Sequence, residues 1–207
     1  MADTSGMGLR EPEQMDWDKF NTAGGKYQAP PEPFTADGKT KNVFTAQLPK
    51  DLGSEERRLQ TQEGYRKFEV GPLTLAKNGN GIDGQQIRYY SVSVKKFRSR
   101  KTGEPMDLSQ AALLLKGAGV AQKPQTNADY EKAIAQASGR TVQITLDWVA
   151  RNKDTGEKVE GAHLFPIDPE TGRRKAILSK GDKLTDGTVV TSEVLFANAV
   201  VDRIITK

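Results

Sequence analysis

The sequence predicts a mainly β domain with a helical insert and an extended N-terminal arm. Residues 141–151 place apolar side chains on one parity and mostly polar ones on the other, the pattern of a strand with one buried face. Residues 107–138 carry helical signals and stand between two such β segments. Residues 1–33 are rich in Gly and Pro, which leaves no uninterrupted period and favours an extended arm.

The composition narrows the class of protein. The chain has 207 residues, of which 35% are hydrophobic, enough for one ample core or two small ones. It has no cysteine, which excludes disulfides, thiolate metal sites and a cysteine nucleophile. No apolar run approaches the roughly 20 residues that span a bilayer, and the first residues lack the pattern of a secretory signal. We therefore expect a cytoplasmic protein that does not contact membranes.

The charge of the chain is unevenly distributed. Its formal net charge is +4, but residues 1–33 hold three basic side chains against six acidic ones, so residues 34–207 carry +7. A basic body behind an acidic arm suggests a polyanionic partner. We interpret residues 1–33 as an arm and residues 34–207 as one domain.

The first part of this domain is predicted to hold short β segments. Residues 43–48 predict a strand that ends at a proline. Residues 51–63 are highly charged and predict a short exposed helix capped by Ser54. Residues 68–76 predict a second β segment, and its Gly71-Pro72 interruption predicts an edge strand or a bulge.

Two helices and a long closing segment follow. Residues 107–116 predict a helix with Asp107 as its N-cap, and residues 127–137 predict a second one with Asn127 as its N-cap. Residues 189–206 are rich in β-branched side chains and favour a long, bulged strand, although their apolar spacing also fits a helix.

Residues 85–98 predict a single central strand with two different faces. The apolar face carries Tyr90, Val92 and Val94, and the mixed face carries Tyr89, Lys95 and Phe97. Aromatic rings beside fixed cations are what a single-stranded nucleic acid needs, because bases stack on the rings and phosphates meet the charges. An ordinary solvated strand face is the alternative interpretation.

Three turns with a Thr-Gly core add further cations to this pattern. They lie at residues 101–104, 154–157 and 170–173, and their Gly residues suit the positive φ of hairpin turns. The basic side chains in or beside them include Arg98, Arg100, Lys101, Arg151, Lys153, Arg173 and Arg174. Gathered on one rim of a barrel, these side chains would form a cationic groove. Dispersed, they would only favour solubility.

Signals for catalysis are weak. The spacing Gly79-x-Gly81-x-x-Gly84 matches a dinucleotide-binding fingerprint, but the residues after it are predicted as strand, so no helix N-terminus would hold a pyrophosphate. His163 is the only histidine and has no nucleophile motif or metal-ligand neighbour. The carboxylates at residues 147–160 lack a third gathered ligand for Mg²⁺. We therefore predict no enzyme, no cofactor and no metal site.

Four segments carry a resemblance to a known family. They are Gly24-Gly25-Lys26-Tyr27, the basic strand from Ile87 to Arg98, residues 111–120 (AALLLKGAGV) and residues 196–204 (FANAVVDRI). With these segments the chain resembles phage-encoded OB-fold single-stranded-DNA-binding proteins. The resemblance implies an OB-like five-stranded barrel with one or two helices between strands 3 and 4. The segments before Ile87 and between Arg151 and Val189 are longer than a minimal OB fold needs.

The leading functional hypothesis is a non-enzymatic, sequence-tolerant binder of single-stranded DNA. Tyr89 and Phe97 would stack on bases, while Lys95 and the cations of the three turns would meet phosphates. The resemblance implies a role in replication or recombination with proteins of those pathways as partners, in the host cytoplasm if the chain is phage-encoded. The alternative is a non-catalytic β domain for protein–protein or virion assembly. RNA binding and any oligomeric state are left open.

Overall fold

The computed structural model describes residues 30–76, 84–88, 90–151, 155, 158–160, 162–191 and 194–206. These residues form twelve strands and two α-helices, so the prediction of a mainly β fold with a helical insert is confirmed. The strands are β1 (Val43–Gln47), β2 (Arg58–Gln60), β3 (Arg66–Glu69), β4 (Leu73–Leu75), β5 (Gln86–Ile87), β6 (Ser91–Ser93), β7 (Lys96–Arg98), β8 (Pro105–Ser109), β9 (Thr141–Arg151), β10 (Lys158–Glu160), β11 (Ile177–Ser179) and β12 (Val194–Ile205). The helices are α1 (Gln110–Gly117) and α2 (Asn127–Gln136), and both lie between β8 and β9.

The largest sheet has seven antiparallel strands. Its order is β11-β12-β9-β1-β4-β5, with β10 also paired to β9. Because β9 returns after the helices to lie beside β1, the four strands β9-β1-β4-β5 have the order of a Greek key. Among the described residues the pairing path stays open from β11 to β5, so these pairings do not close a barrel. The Cα atoms of β5 and β12 nevertheless come within 8 Å of each other.

Among the described residues, the interior consists of two hydrophobic clusters. The larger lies where β1, β4 and the first half of β9 meet the two helices, and Phe44, Leu114 and Ile144 are buried in it. The smaller surrounds Trp148, whose ring meets Phe165 edge-to-face at a centroid distance of 5.9 Å. The indole Nε1 of Trp148 donates a 2.7 Å hydrogen bond to the Pro31 carbonyl. Residues 30–33, at the end of the predicted arm, thus pack against the body.

Both helices begin at a different residue from the predicted one. The Oγ of Ser109 caps α1 by accepting from the amide of Ala112, because β8 extends through Asp107 and delays the helix. Thr126 caps α2 in a reciprocal capping box with Asp129. Neither described helix has the length and apolar character needed to cross a membrane.

The prediction of one continuous strand over residues 85–98 is wrong. The segment forms β5, β6 and β7, which belong to three different sheets. The first break lies between β5 and β6, where the backbone of Arg88 passes close to the backbone of Gly71. A Cβ on Gly71 would lie only 2.1 Å from the Arg88 carbonyl oxygen. At the second break, the Lys95 amide donates to the Ser93 hydroxyl at 3.1 Å. The predicted apolar parity is correct, because Val92 is buried and Tyr90 and Val94 pack against the larger cluster.

Two other segments also differ from their predicted form. Residues 51–63 form a 3-10 turn at Glu55–Arg57 and then strand β2, which pairs with β3, so the predicted helix does not extend beyond this turn. The Gly71-Pro72 interruption separates β3 from β4, and each of these strands has neighbours on both sides, so the edge alternative is wrong. The amides of Val70 and Gly71 both donate to the Tyr90 carbonyl, at 2.8 and 2.9 Å, which is the hydrogen-bond pattern of the predicted bulge. Residues 194–205 form a strand with a register shift between Val201 and Arg203, as the favoured interpretation predicted.

Candidate nucleic-acid interface

A small three-stranded sheet, β2-β3-β6, supplies the floor of the candidate site. Residues directly opposite each other in antiparallel strands point to the same face. Phe68 lies opposite Val92, and both are buried on the inner face. Leu59 pairs with Lys67, and Lys67 pairs with Ser93, so these three side chains share the outer face. The outer face therefore presents a lysine and a small hydroxyl to solvent.

The β7–β8 hairpin forms a wall beside this floor. Its turn closes with the Ser99 amide donating to the Glu104 carbonyl at 2.9 Å, and Gly103 has a φ of +73°, as predicted for this Thr-Gly turn. Phe97 lies on β7, and 37% of its surface is exposed. A phenylalanine so exposed at a groove offers a flat apolar surface to a ligand.

The floor and the wall enclose an open groove of about 740 Å³, which we call the basic groove. It is lined by Gln60, Thr61, Gln62, Glu63, Lys67, Ser93, Lys95, Lys96, Phe97, Arg98 and Gln110. Four of these side chains are cationic and one is acidic. The exposed ring of Phe97 thus shares a single groove with Lys67, Lys95, Lys96 and Arg98.

Surface contacts orient three of these cations. Lys95 Nζ forms a salt bridge with Glu63 and lies 5.8 Å from the centroid of the Tyr65 ring. Arg98 donates to the Gly103 carbonyl at 2.9 Å. These pairs are exposed, so each holds its side chain only weakly.

The third oriented cation is Lys96. Its Nζ lies 2.6 Å from Asp107 Oδ1. This hydrogen bond, with the attraction between the two charges, raises the pKa of Lys96 and lowers the pKa of Asp107.

The predicted site residues fall into separate groups. Lys95, Phe97 and Arg98 meet in the basic groove, and Arg100 and Lys101 are exposed at the tip of the same hairpin. Tyr89 and Lys153 lie outside the described residues.

The remaining predicted cations lie near the smaller cluster. Arg151 is the last residue of β9. Arg173 is exposed in the turn beside Arg174. Only 11% of the Arg174 side chain is exposed, and its Nε lies 3.3 Å from Glu32 Oε1.

Arg174 is also held by an aromatic ring and a carbonyl. Its guanidinium lies 5.5 Å from the centroid of the Phe34 ring, and it donates to the Phe165 carbonyl at 3.2 Å. Together with its contact to Glu32, these interactions fasten residues 30–34 to the body. Arg174 is thus engaged in a structural contact, and none of Arg151, Arg173 and Arg174 lines the basic groove.

The structure adds three residues that the sequence interpretation missed: Tyr65, Lys67 and Lys96. The signal for Lys67 was available, because the buried Phe68 and Val70 alternate with it. In the predicted continuous strand, Lys96 would lie on the apolar face. The break after Ser93 places it in the basic groove instead.

Comparison with protein-family models, curated proteins and solved structures found no match. Function must therefore be inferred from the site itself. Within the described ranges, no three His, Cys, Asp or Glu side chains gather in a way that could hold a metal ion.

Proposed function

We propose that this protein is a non-enzymatic, sequence-tolerant binder of single-stranded DNA and that the basic groove is its binding site. The observation that carries the proposal is the exposed Phe97 ring standing among Lys67, Lys95, Lys96 and Arg98 in one open groove. Single-strand binders combine a cationic track for the backbone with rings for the bases. The phosphate-binding set is accordingly the cations of this groove, with Arg100 and Lys101 at the adjoining tip.

An OB-like arrangement is part of the proposal. OB folds are partly open Greek-key barrels that bind oligonucleotides on the second and third strands and on the loop between the first and second. If β1 is the first strand, β3 and β4 form the second, and the segments β5 to β7 form the third. Both helices then precede the fourth strand, β9. The basic groove draws its lining from the second strand, the third strand and the first loop, which supports the assignment.

The proposed biological role follows from the resemblance to phage-encoded single-stranded-DNA-binding proteins. The protein would protect or organise unpaired strands during replication or recombination, and proteins of those processes would be its partners. In a phage-infected cell this work takes place in the host cytoplasm.

A fluorescence-anisotropy titration with labelled dT oligonucleotides at several salt concentrations tests the proposal. Each phosphate contact on a single strand lowers the slope of log K against log[salt] by about 0.7, so the six cations of the proposed set give a slope of about −4.2. Lys67→Gln should make this slope shallower by about 0.7, because it removes one contact. Lys180→Gln removes an exposed lysine outside the groove and serves as the matched control.

Two results would reject the proposal. One is the absence of dT binding at low salt, and the other is binding that does not depend on salt. A defined oligomer in light scattering, without preference for nucleic acid, would instead favour the alternative of a β domain for protein assembly.

A further inference from the structure

A second groove, of about 470 Å³, also borders the β7–β8 hairpin. It runs between this hairpin and the start of α2, and its walls include Tyr65, Tyr130, Pro105 and Thr126. Tyr65 is 44% exposed, so its ring is accessible to a ligand. We call this surface the tyrosine groove.

The basic groove and the tyrosine groove share their cations. Lys95, Lys96 and Arg98 line both of them. These three side chains therefore form a basic ridge between the two grooves. Phe97 lines only the basic groove, whereas Tyr65 lines only the tyrosine groove. Each side of the ridge thus has an aromatic ring of its own.

The walls of the tyrosine groove are held in place by charged contacts. Glu131 on α2 binds Arg58 at 3.2 Å and Arg66 at 3.1 Å, which ties the helix to β2 and β3 of the small sheet. Tyr130, next to Glu131, packs against the larger hydrophobic cluster. Rigid walls lower the entropy cost of ordering the site when a ligand binds.

We propose that the tyrosine groove is a further base-binding subsite for the same single strand that fills the basic groove. The strand crosses the basic ridge, with its phosphates over Lys95, Lys96 and Arg98. Its bases lie against Phe97 on one side and against Tyr65 on the other. A duplex cannot bind in this way, because its bases are stacked and paired inside the helix. This inference rests on the proposed function and extends it to unpaired strands long enough to cross the ridge.

The anisotropy test compares wild type, Tyr65→Ala and Tyr65→Phe with a dT oligonucleotide of about 15 nucleotides, within the range of known site sizes. Loss of one stacking ring should weaken binding by at least about fivefold in Tyr65→Ala. Tyr65→Phe keeps the ring and should bind like wild type. The salt slope should not change, because no cation is removed. Ile177→Ala, which truncates a 41% exposed side chain near the smaller cluster, is the control for surface truncation.

Amide chemical shifts of the wild type provide a second measurement that does not depend on a variant. The amides of Thr126 and Asn127 should shift on addition of the same oligonucleotide, together with that of Phe97. All three should reach saturation at one strand per chain.

The possible failures are distinguishable. If wild type does not bind dT, the proposed function fails. If wild type binds and Phe97→Ala weakens binding, but Tyr65→Ala and the Thr126 and Asn127 amides show no effect, only the second subsite is overturned. Saturation at two strands per chain would replace the single crossing path by two independent sites.

Discussion

Among the described residues, Glu63 is the one carboxylate that lines both grooves, and it forms a salt bridge with Lys95. A phosphate that binds Lys95 must displace this carboxylate and also approach its negative charge. Replacing Glu63 by Gln removes both obstacles while keeping nearly the same shape. We therefore expect Glu63→Gln to bind single-stranded DNA more tightly than wild type.

The size of this gain follows from the exposure of the pair. The side chains of Lys95 and Glu63 are 39% and 60% exposed, so their salt bridge contributes at most about 1 kcal/mol. Releasing Lys95 from it then strengthens binding by about twofold to fivefold at low salt. The salt slope should stay close to that of the wild type, because Lys95 already counts among its phosphate contacts and the counterions are released from the strand. The free energy of unfolding should fall by less than about 1 kcal/mol.

Anisotropy titrations with dT at low and moderate salt measure the gain, and urea unfolding measures the stability. Glu170→Gln makes the same change in net charge at an exposed turn outside both grooves, and it should leave the affinity almost unchanged. Tighter binding by Glu63→Gln would be informative, because a variant with a damaged fold would bind more weakly than wild type. Equal affinities for wild type and Glu63→Gln would show that no phosphate competes for Lys95, and the assigned path would be wrong.

Two further predictions concern stacking and helix capping. Phe97→Ala should weaken dT binding by about fivefold to 150-fold without changing the salt slope. Ile177 is also exposed, and its truncation in Ile177→Ala should leave binding unchanged. An unaltered affinity of Phe97→Ala would assign Phe97 a structural role. Hydrogen bonds from Thr126 lower the pKa of Asp129 in the folded protein. The ionised carboxylate therefore stabilises the fold fully above its unfolded-state pKa of about 3.9. This stabilisation is lost as the pH falls through the lower folded-state pKa. In urea unfolding, the stability difference between wild type and Asp129→Asn should therefore be largest near neutral pH and shrink below about pH 4. A difference that stays constant down to pH 2 would contradict the capping role of the ionised carboxylate.

Much of the secondary structure was predictable because it depends on local patterns. The alternation across residues 141–151 and the apolar parity of Val92 both appear in the structure, because a strand with one buried face needs that period. The two helices were also predicted, but not the residues that begin them. Asp107, Ser109, Asn127 and Thr126 are all acceptable caps by type, and the pairing of β7 with β8 decides where α1 starts.

The candidate site was only partly predictable. Lys95, Phe97 and Arg98 are neighbours in the sequence and meet in the groove for that reason. Tyr65 and Lys67 reach the site through the pairing of β3 with β6, which joins segments about 25 residues apart. Arg174 is of a residue type that commonly binds phosphate. Its contacts with Glu32 and Phe34 could not be predicted, because they depend on where the turn that carries Arg174 packs.

The amino-acid sequence alone determined the class of fold, the basic character of the body and the nearness of Phe97 to Lys95 and Arg98, because side-chain type and local period carry that information. Only the tertiary structure decided which cations share a groove, and it divided the central segment among three sheets. The physical reason is that long-range contacts choose the direction of each strand, as at the crossing of Gly71 and Arg88. The direction of a strand then decides which of its side chains can meet a ligand together.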